Sequence, residues 1–377
     1  KKNVISTILQ SFIAMGVVSV IWVVFGFSLA FGDDCGGFIG NPASFFMFQH
    51  VGAKIDTYLA PTIPLALYAL FQMKFAIITP SLITGSFAER VRFSGYLIFM
   101  ILFCIFVYCP LAHWTWHPDG FLRQMGVVDF AGGIVVHASS GVAALAGAIF
   151  LGRRSGKRHA PANIPFVILG AAMLWLGWFG FNAGSSLAAD GIAIKAFLNT
   201  NTASATAMMV WIFFDCLRGR KPSALGAAVG AVVGLVAITP SAGYVTVGES
   251  IFIALTTTMV CNVAVYWKNK TSVDDALDVF PTHGVGGIFG TVLTGVFVNG
   301  LFAGNVSVFL IHLLAVVLVC GYTFIVSYAL YWLTNKMIPL RVSARSEAIG
   351  LDLSQHDESY GYADEGEREL AEYHAEN

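Results

Sequence analysis

Charge is what this 377-residue sequence has least of. Asp, Glu, Lys and Arg together make 11 % of it, while apolar residues make 56 %. An average soluble domain is about a quarter charged. The shortage is also uneven: residues 341–377 hold 13 of the 43 charges, ten of them acidic, so the first 340 residues share 30. Such a chain cannot clothe a soluble surface of its size, and it reads as an all-α polytopic membrane protein. The expected organisation is a transmembrane domain over residues 1–340 and a cytoplasmic tail over 341–377. Basic patches are missing too, and with a net charge of −1 no nucleic-acid partner is expected. No two of the six cysteines form a CxxC pair. Metal ligation and disulfides are therefore set aside in favour of buried packing. The sequence has no initiating Met and no signal peptide. Lys1-Lys2 reads as the end of a cytoplasmic loop, as if a helix had preceded it.

What is abundant is apolar sequence of bilayer-spanning length. Ten stretches are predicted to cross: 4–31, 61–87, 94–113, 131–151, 163–183, 199–217, 223–241, 249–267, 281–300 and 305–333. Backbone groups in lipid must be satisfied internally, and runs this uniformly apolar mean helices and not barrel strands. Alternating the loops between two sides puts seventeen Lys and Arg residues on one side and only Lys54, Arg123 and Lys195 on the other. The rule that cytoplasmic loops are basic then puts both ends of the chain in the cytoplasm.

Small residues recur where helices must approach closely, as at Gly226, Gly230 and Gly234. Polar residues inside the spans are more informative, because they are expensive there. His137, preceded by Asp129, and His283, preceded by Asp278, each begin an H-x-x-x-G pattern on helices of opposite direction, five segments apart. This fits an inverted pseudo-two-fold repeat whose equivalent polar groups meet near the midplane. One buried imidazole needs no functional explanation; two in matching positions favour a functional pair. His312 has no counterpart and reads as structural. His113 and His117 flank Trp114 and Trp116 at an outer helix end, where interfacial placement is expected. Two functions compete at this level: conduction of a small polar solute, and a haem-bearing redox protein with bis-His ligation. The glycine-dense helices leave little room for a macrocycle, so conduction is favoured and no cofactor or metal is expected.

Further stretches are Gln72-Met-Lys-Phe75-Ala-Ile-Ile-Thr79, Gly85-Ser-Phe-Ala-Glu-Arg90, Ala112-His-Trp-Thr-Trp116, Asp129-Phe-Ala-Gly-Gly-Ile-Val-Val-His137, Gly177-Trp-Phe-Gly-Phe181-Asn-Ala-Gly-Ser185 and Asp274-Asp-Ala-Leu-Asp-Val-Phe-Pro-Thr-His283-Gly-Val-Gly-Gly287. With Gly350-Leu-Asp-Leu-Ser-Gln-His-Asp-Glu-Ser-Tyr360 in the tail, and in this order, the sequence resembles the Amt/MEP/Rh superfamily of ammonium transporters, the Amt branch in particular. The resemblance runs from residue 1 to about residue 361. It implies eleven helices with an outside N-terminus, and the expectation is that the first is missing here.

The resemblance also implies residue roles. Phe75, Trp116 and Ser185 look like the outer site that recruits ammonium. Phe75 and Phe181 look like the stacked gate, and His137 and His283 like the twin histidines of the pore. Asp129 looks like the acid beside the recruitment site, acting as a helix N-cap and electrostatic support. Implied partners are ammonium or ammonia, the lipid bilayer, two further copies in a homotrimer, and a PII-type regulatory protein at the cytoplasmic face. That face would include Gly152-Arg-Arg-Ser-Gly-Lys-Arg158, while residues 362–377 read as a solvated, disordered end. Transport is the expected purpose and catalysis is not. The alternative is an ammonium-sensing Amt domain coupled to a signalling module such as a histidine kinase, in which the same motifs would appear.

Overall fold

The computed structural model describes residues 2–155 and 161–361. Expectations for Lys1, for residues 156–158 and for the end of the tail at 362–377 lie outside them. Each of the ten apolar stretches is helical: α1 (Val4–Phe31), α2 (Leu65–Ser86), α3 (Phe93–Gln124), α4 (Gly133–Leu151), α5 (Ile164–Ser186), α6 (Gly191–Leu217), α7 (Ala224–Ile238), α8 (Val247–Lys268), α9 (Phe280–Ala303) and α10 (Val306–Met337). Eight of these are long and apolar enough to cross a membrane.

The other two are α6 and α7. Helix α6 has 27 residues, but Asn199-Thr-Asn-Thr202 dilutes its apolar character. It begins at residue 191, well before the predicted 199, because the Asp190 carboxylate caps it by accepting the Ala193 N–H at 2.8 Å. Helix α7 is apolar but has only 15 residues. The two pack through the glycines of α7. A Cβ on Gly230 would lie 2.6 Å from the Trp211 Cβ, and one on Gly234 would collide with the Ala203 carbonyl. The four-residue glycine spacing thus serves backbone contact between these helices.

Helices α4 and α9 run through the middle of the bundle. Within the apolar stretch of α4, 83 % of residues are buried, against 6 % in α5, which leaves α5 on the rim. The buried core on one side joins α1–α4 and α10; smaller clusters join α5–α9 on the other. Helices α4 and α9 each open on a π-helical turn, Gly133–Ala138 and Phe280–Gly284, and each turn carries one of the two histidines. Such turns are rare and gather at functional sites.

At the end where the basic loops meet, residues 341–356 form a packed strap and not a free tail. Arg341 pairs backbone with Val91, donates its guanidinium to the Leu151 and Arg153 carbonyls at 2.8 and 2.7 Å, and ion-pairs with Glu347 at 2.9 Å. Two short helices follow, α11 (Ala344–Ile349) and α12 (Leu351–His356). Buried Asp352 then caps α1, accepting the N–H groups of Val4 at 2.9 Å and Ser6 at 2.8 Å.

The opposite end adds a small antiparallel hairpin, Ile55–Asp56 with Ala60–Pro64, to the all-α expectation. It also corrects the reading of His113 as an interfacial residue. That ring is fully buried, with Nδ1 on the Ala30 carbonyl and Nε2 on the Asp34 carboxylate, both at 2.9 Å. The loop after α1 folds over it and carries the Asp34 partner. His312 is structural as read: Nδ1 donates to the Val308 carbonyl at 2.7 Å and Nε2 accepts the Val128 N–H at 3.1 Å.

The strap makes a prediction. Asp352→Ala removes two bonds from a buried helix start, which costs about 1–2 kcal/mol. Amide exchange across residues 344–356 and in the first turn of α1 should rise together, and the thermal midpoint in detergent should fall by a few degrees. Unchanged exchange in both segments would contradict the strap.

Candidate conduction pathway

The two histidines are neighbours because glycines make room for them reciprocally. Gly141, at the end of the first H-x-x-x-G, lies against the backbone of Gly284, and a Cβ there would collide with it. Gly287, at the end of the second, lies against the other motif: a Cβ would sit 2.5 Å from the Gly133 carbonyl, 2.7 Å from the Ala138 nitrogen and 2.9 Å from the His137 Cβ. The imidazoles of His137 and His283 then meet with Nδ1 atoms 3.3 Å apart and ring centroids 5.4 Å apart. A bond between two Nδ1 atoms requires one to donate and the other to accept. When both rings are neutral they therefore hold opposite tautomers: the donor carries its single N–H at Nδ1, and the acceptor carries its single N–H at Nε2. The buried Nε2 of His137 has no hydrogen-bond partner among the described residues.

A buried carboxylate holds the start of each histidine helix. Asp129 accepts four backbone N–H groups, from Gly132 (3.0 Å), Gly133 (2.5 Å), Ile134 (3.0 Å) and Val135 (3.2 Å). On α9 the equivalent acid is Asp275, which accepts Val279 N–H at 3.1 Å and Phe280 N–H at 2.7 Å. Burial pushes the Asp275 carboxyl up to about 6, while the Phe280 N–H and the Lys268 charge hold it down. In the sequence Asp278 is the acid that precedes His283 most closely. Asp278 instead turns away at φ 59° and pairs with Lys268 at 2.5 Å. The missed signal was spacing: Asp129 to His137 and Asp275 to His283 are both eight residues.

Aromatic rings continue outward from the histidines. Trp178 stacks on His137 at 5.2 Å, and Phe181 lies 6.0 Å from it. Phe181 and Phe75 face each other at 4.3 Å, and Phe75 meets Trp116 edge-on at 5.4 Å. Beyond Phe75 opens a cavity of about 580 Å³, whose wall includes Gln72, Thr115, Trp116, Asp129 and Ser185. Trp116 is held by its indole N–H on the Asp129 carbonyl at 2.8 Å. The Ser185 hydroxyl donates to the Phe181 carbonyl at 2.8 Å, so its oxygen lone pairs remain free to accept. Gln72 and Thr115, which the sequence reading did not single out, each bring a buried oxygen without a partner among the described residues to this wall.

A helical membrane protein with a polar vestibule, a closed aromatic pair and two touching imidazoles behind it belongs to the class that handles small polar solutes at the bilayer midplane. The comparisons give the family. Residues 1–361 match the model of the Ammonium Transporter Family, and the chain belongs to that family. It is 45 % identical to a putative ammonium transporter of Methanothermobacter thermautotrophicus over 96 % of this chain and 91 % of that one. Among solved structures it is similar to Candida albicans Mep2, at TM-score 0.86 and 32 % identity over 91 % of this chain and 80 % of that one. It is also similar to a protein described as Sensor Amt Protein, at TM-score 0.86 and 30 % identity over 94 % and 91 %.

The helix crossing can be probed directly. Gly287→Ala forces a Cβ against backbone that cannot swing aside, an overpacking worth about 1–3 kcal/mol. The thermal midpoint should fall and solute flux with it. A midpoint and flux both equal to wild type would mean the crossing is not tight.

Proposed function

We propose that the protein moves ammonium or ammonia across the cell membrane, recruiting the cation at Phe75, Trp116 and Ser185 and passing it beyond the Phe75–Phe181 gate to His137 and His283. The observation that carries this is the unbroken succession of Trp116, Phe75, Phe181, His137 and His283 behind a single cavity. An ammonium ion in that cavity gains cation–π attraction from the rings, about 2 kcal/mol when desolvated. It also donates to the Ser185 oxygen. Potassium has similar size but no hydrogen to donate.

Further in, the solute meets rings and imidazoles with no fixed negative charge beside them among the described residues, and a bare cation there is costly. Ammonium escapes that cost by giving up its proton. The histidine pair, with one donor and one acceptor face, is built to relay a proton beside neutral ammonia. Asp129 acts through Trp116 and the start of α4. It is a positioning residue.

The wider arrangement follows the same reading. Helices α6 and α7 join the other eight as crossings, giving ten in two inverted halves with α4 and α9 as counterparts. Their equal Asp-to-His spacing and reciprocal glycines support that symmetry. The basic end faces the cytoplasm, with both ends of the chain there. The broad exposed apolar surface of α5 and α6, including Phe166, Met173, Leu176 and Phe213, suits lipid and the neighbours of a homotrimer. The face around Arg153, Arg154 and the strap would receive a PII-type protein. A sensor role is the second reading, favoured by the likeness to Sensor Amt Protein.

In proteoliposomes on a solid-supported membrane, ammonium should give a signal, methylammonium a smaller one because its methyl must pass between Phe75 and Phe181, and potassium none. A potassium signal equal to that of ammonium would defeat deprotonation. Ammonium binding without flux would move the assignment to the sensor.

A further inference from the structure

The vestibule carries a charge that recruitment of a cation does not account for. Among the described residues, two charged side chains reach its wall, Asp129 and Arg123. Asp129 is committed elsewhere: Oδ1 accepts from Gly132 and Gly133, and Oδ2 from Ile134 and Val135. The N-terminus of α4 therefore offsets its negative charge. Arg123 has no such tie. It stands in the last turn of α3, seven residues beyond Trp116, and is exposed. Its guanidinium has no hydrogen-bond or carboxylate partner among the described residues. A cavity that receives a cation thus holds an unpaired cation in its own wall.

Charge around the mouth has the opposite sign. Asp34 lies beside His113, Asp56 accepts the Tyr58 N–H, and Asp119 accepts the Tyr58 hydroxyl at 2.5 Å. Tyr58 is a wall residue, and Asp119 is 45 % exposed, so a carboxylate stands at the opening itself. Such carboxylates draw in every cation, and a divalent one more strongly than a monovalent one. Inside, the oxygens of Gln72, Thr115 and Ser185 offer no discrimination by charge, because neutral oxygens accept from ammonium and ligate calcium alike. A fixed positive charge does discriminate. Its Coulomb energy is proportional to the charge of the solute. Whatever factor it takes from the occupancy of a monovalent cation, it takes the square of that factor from a divalent cation at the same place.

We infer that Arg123 sets the charge selectivity of the vestibule, admitting ammonium at a modest loss of affinity and keeping divalent cations such as calcium from occupying and blocking it. This rests on the cavity being the recruitment site. Arg123 acts through its field and needs no contact with the solute.

The test measures ammonium current in proteoliposomes on a solid-supported membrane, over a range of ammonium concentrations with and without calcium chloride, at an ionic strength held constant with choline chloride. Wild type is compared with R123Q, with R123K, and with K195Q, which removes an exposed cation at the same end but outside the cavity wall. In R123Q the half-saturating ammonium concentration should fall about threefold, and the calcium concentration that halves the current about ninefold, the square of the first. R123K and K195Q should match wild type in both. A saturable current in which R123Q also matches wild type would overturn the inference and leave the recruitment site standing. Equal shifts for ammonium and calcium, or an R123K that follows R123Q, would overturn it too, since neither is the effect of a fixed charge. A lowered thermal midpoint in R123Q with both concentrations unchanged would assign Arg123 to the end of α3, and equally overturn it. Absence of ammonium current from wild type would remove the recruitment reading and the inference with it.

Discussion

Gly141 lies against the backbone of Gly284, and Gly287 against that of Gly133 and Ala138, so α4 and α9 cross with a glycine of each against the backbone of the other. In lipid there is little hydrophobic gain from joining two apolar helices, and close backbone approach with its dispersion contacts takes over. That approach is what allows two imidazoles on different helices to share a hydrogen bond. It also explains why each histidine precedes a glycine by four residues: the histidine and the glycine fall on the same face of a helix, one turn apart.

A crossing this tight needs helix starts that do not drift, and the buried carboxylates of Asp129 and Asp275 supply them. Each gathers backbone N–H groups that would otherwise be orphaned at a helix N-terminus. Asp129 accomplishes more, because its own carbonyl fixes the Trp116 indole that walls the vestibule. One residue therefore ties the position of the outer aromatic site to the helix that carries His137. On the proposed mechanism the fixed arrangement would serve selectivity, since acceptors and rings would already be in place when the solute sheds its water.

Much of this was legible in the sequence. Polar residues within long apolar runs stand out, so His137, His283 and Asp129 announced themselves, and the aromatic positions followed once their motifs resembled a family. Less legible was anything fixed by chain segments far apart. Asp278 is nearer to His283 than Asp275 is, yet its left-handed backbone aims it at Lys268. His113 borders Trp114, and only the folding of the loop after α1 reveals it as a buried hydrogen-bond partner of Asp34. The strap of residues 341–356 read as a hydrophilic tail because its anchors, Asn3, Val91 and Leu151, are distant in sequence. The first turns of α6, residues 191–198, fell outside the predicted stretch because their start is set by the Asp190 cap, while polar Asn199 is accommodated by bonds to the Ala242 and Val245 carbonyls.

The central claim is that the histidine pair handles a proton and does not merely fill space. His283→Ala separates the two, because His283 bonds only to His137 among the described residues and lies in a helix otherwise held by glycine contacts and Asp275. The decisive measurement is ammonium-driven current in proteoliposomes set beside the thermal midpoint of the same preparation. Loss of a proton relay costs about a hundredfold or more in rate, so current should fall at least that steeply while the midpoint moves by a few degrees only. Current and midpoint falling in proportion, or current left at the wild-type level, would contradict the relay.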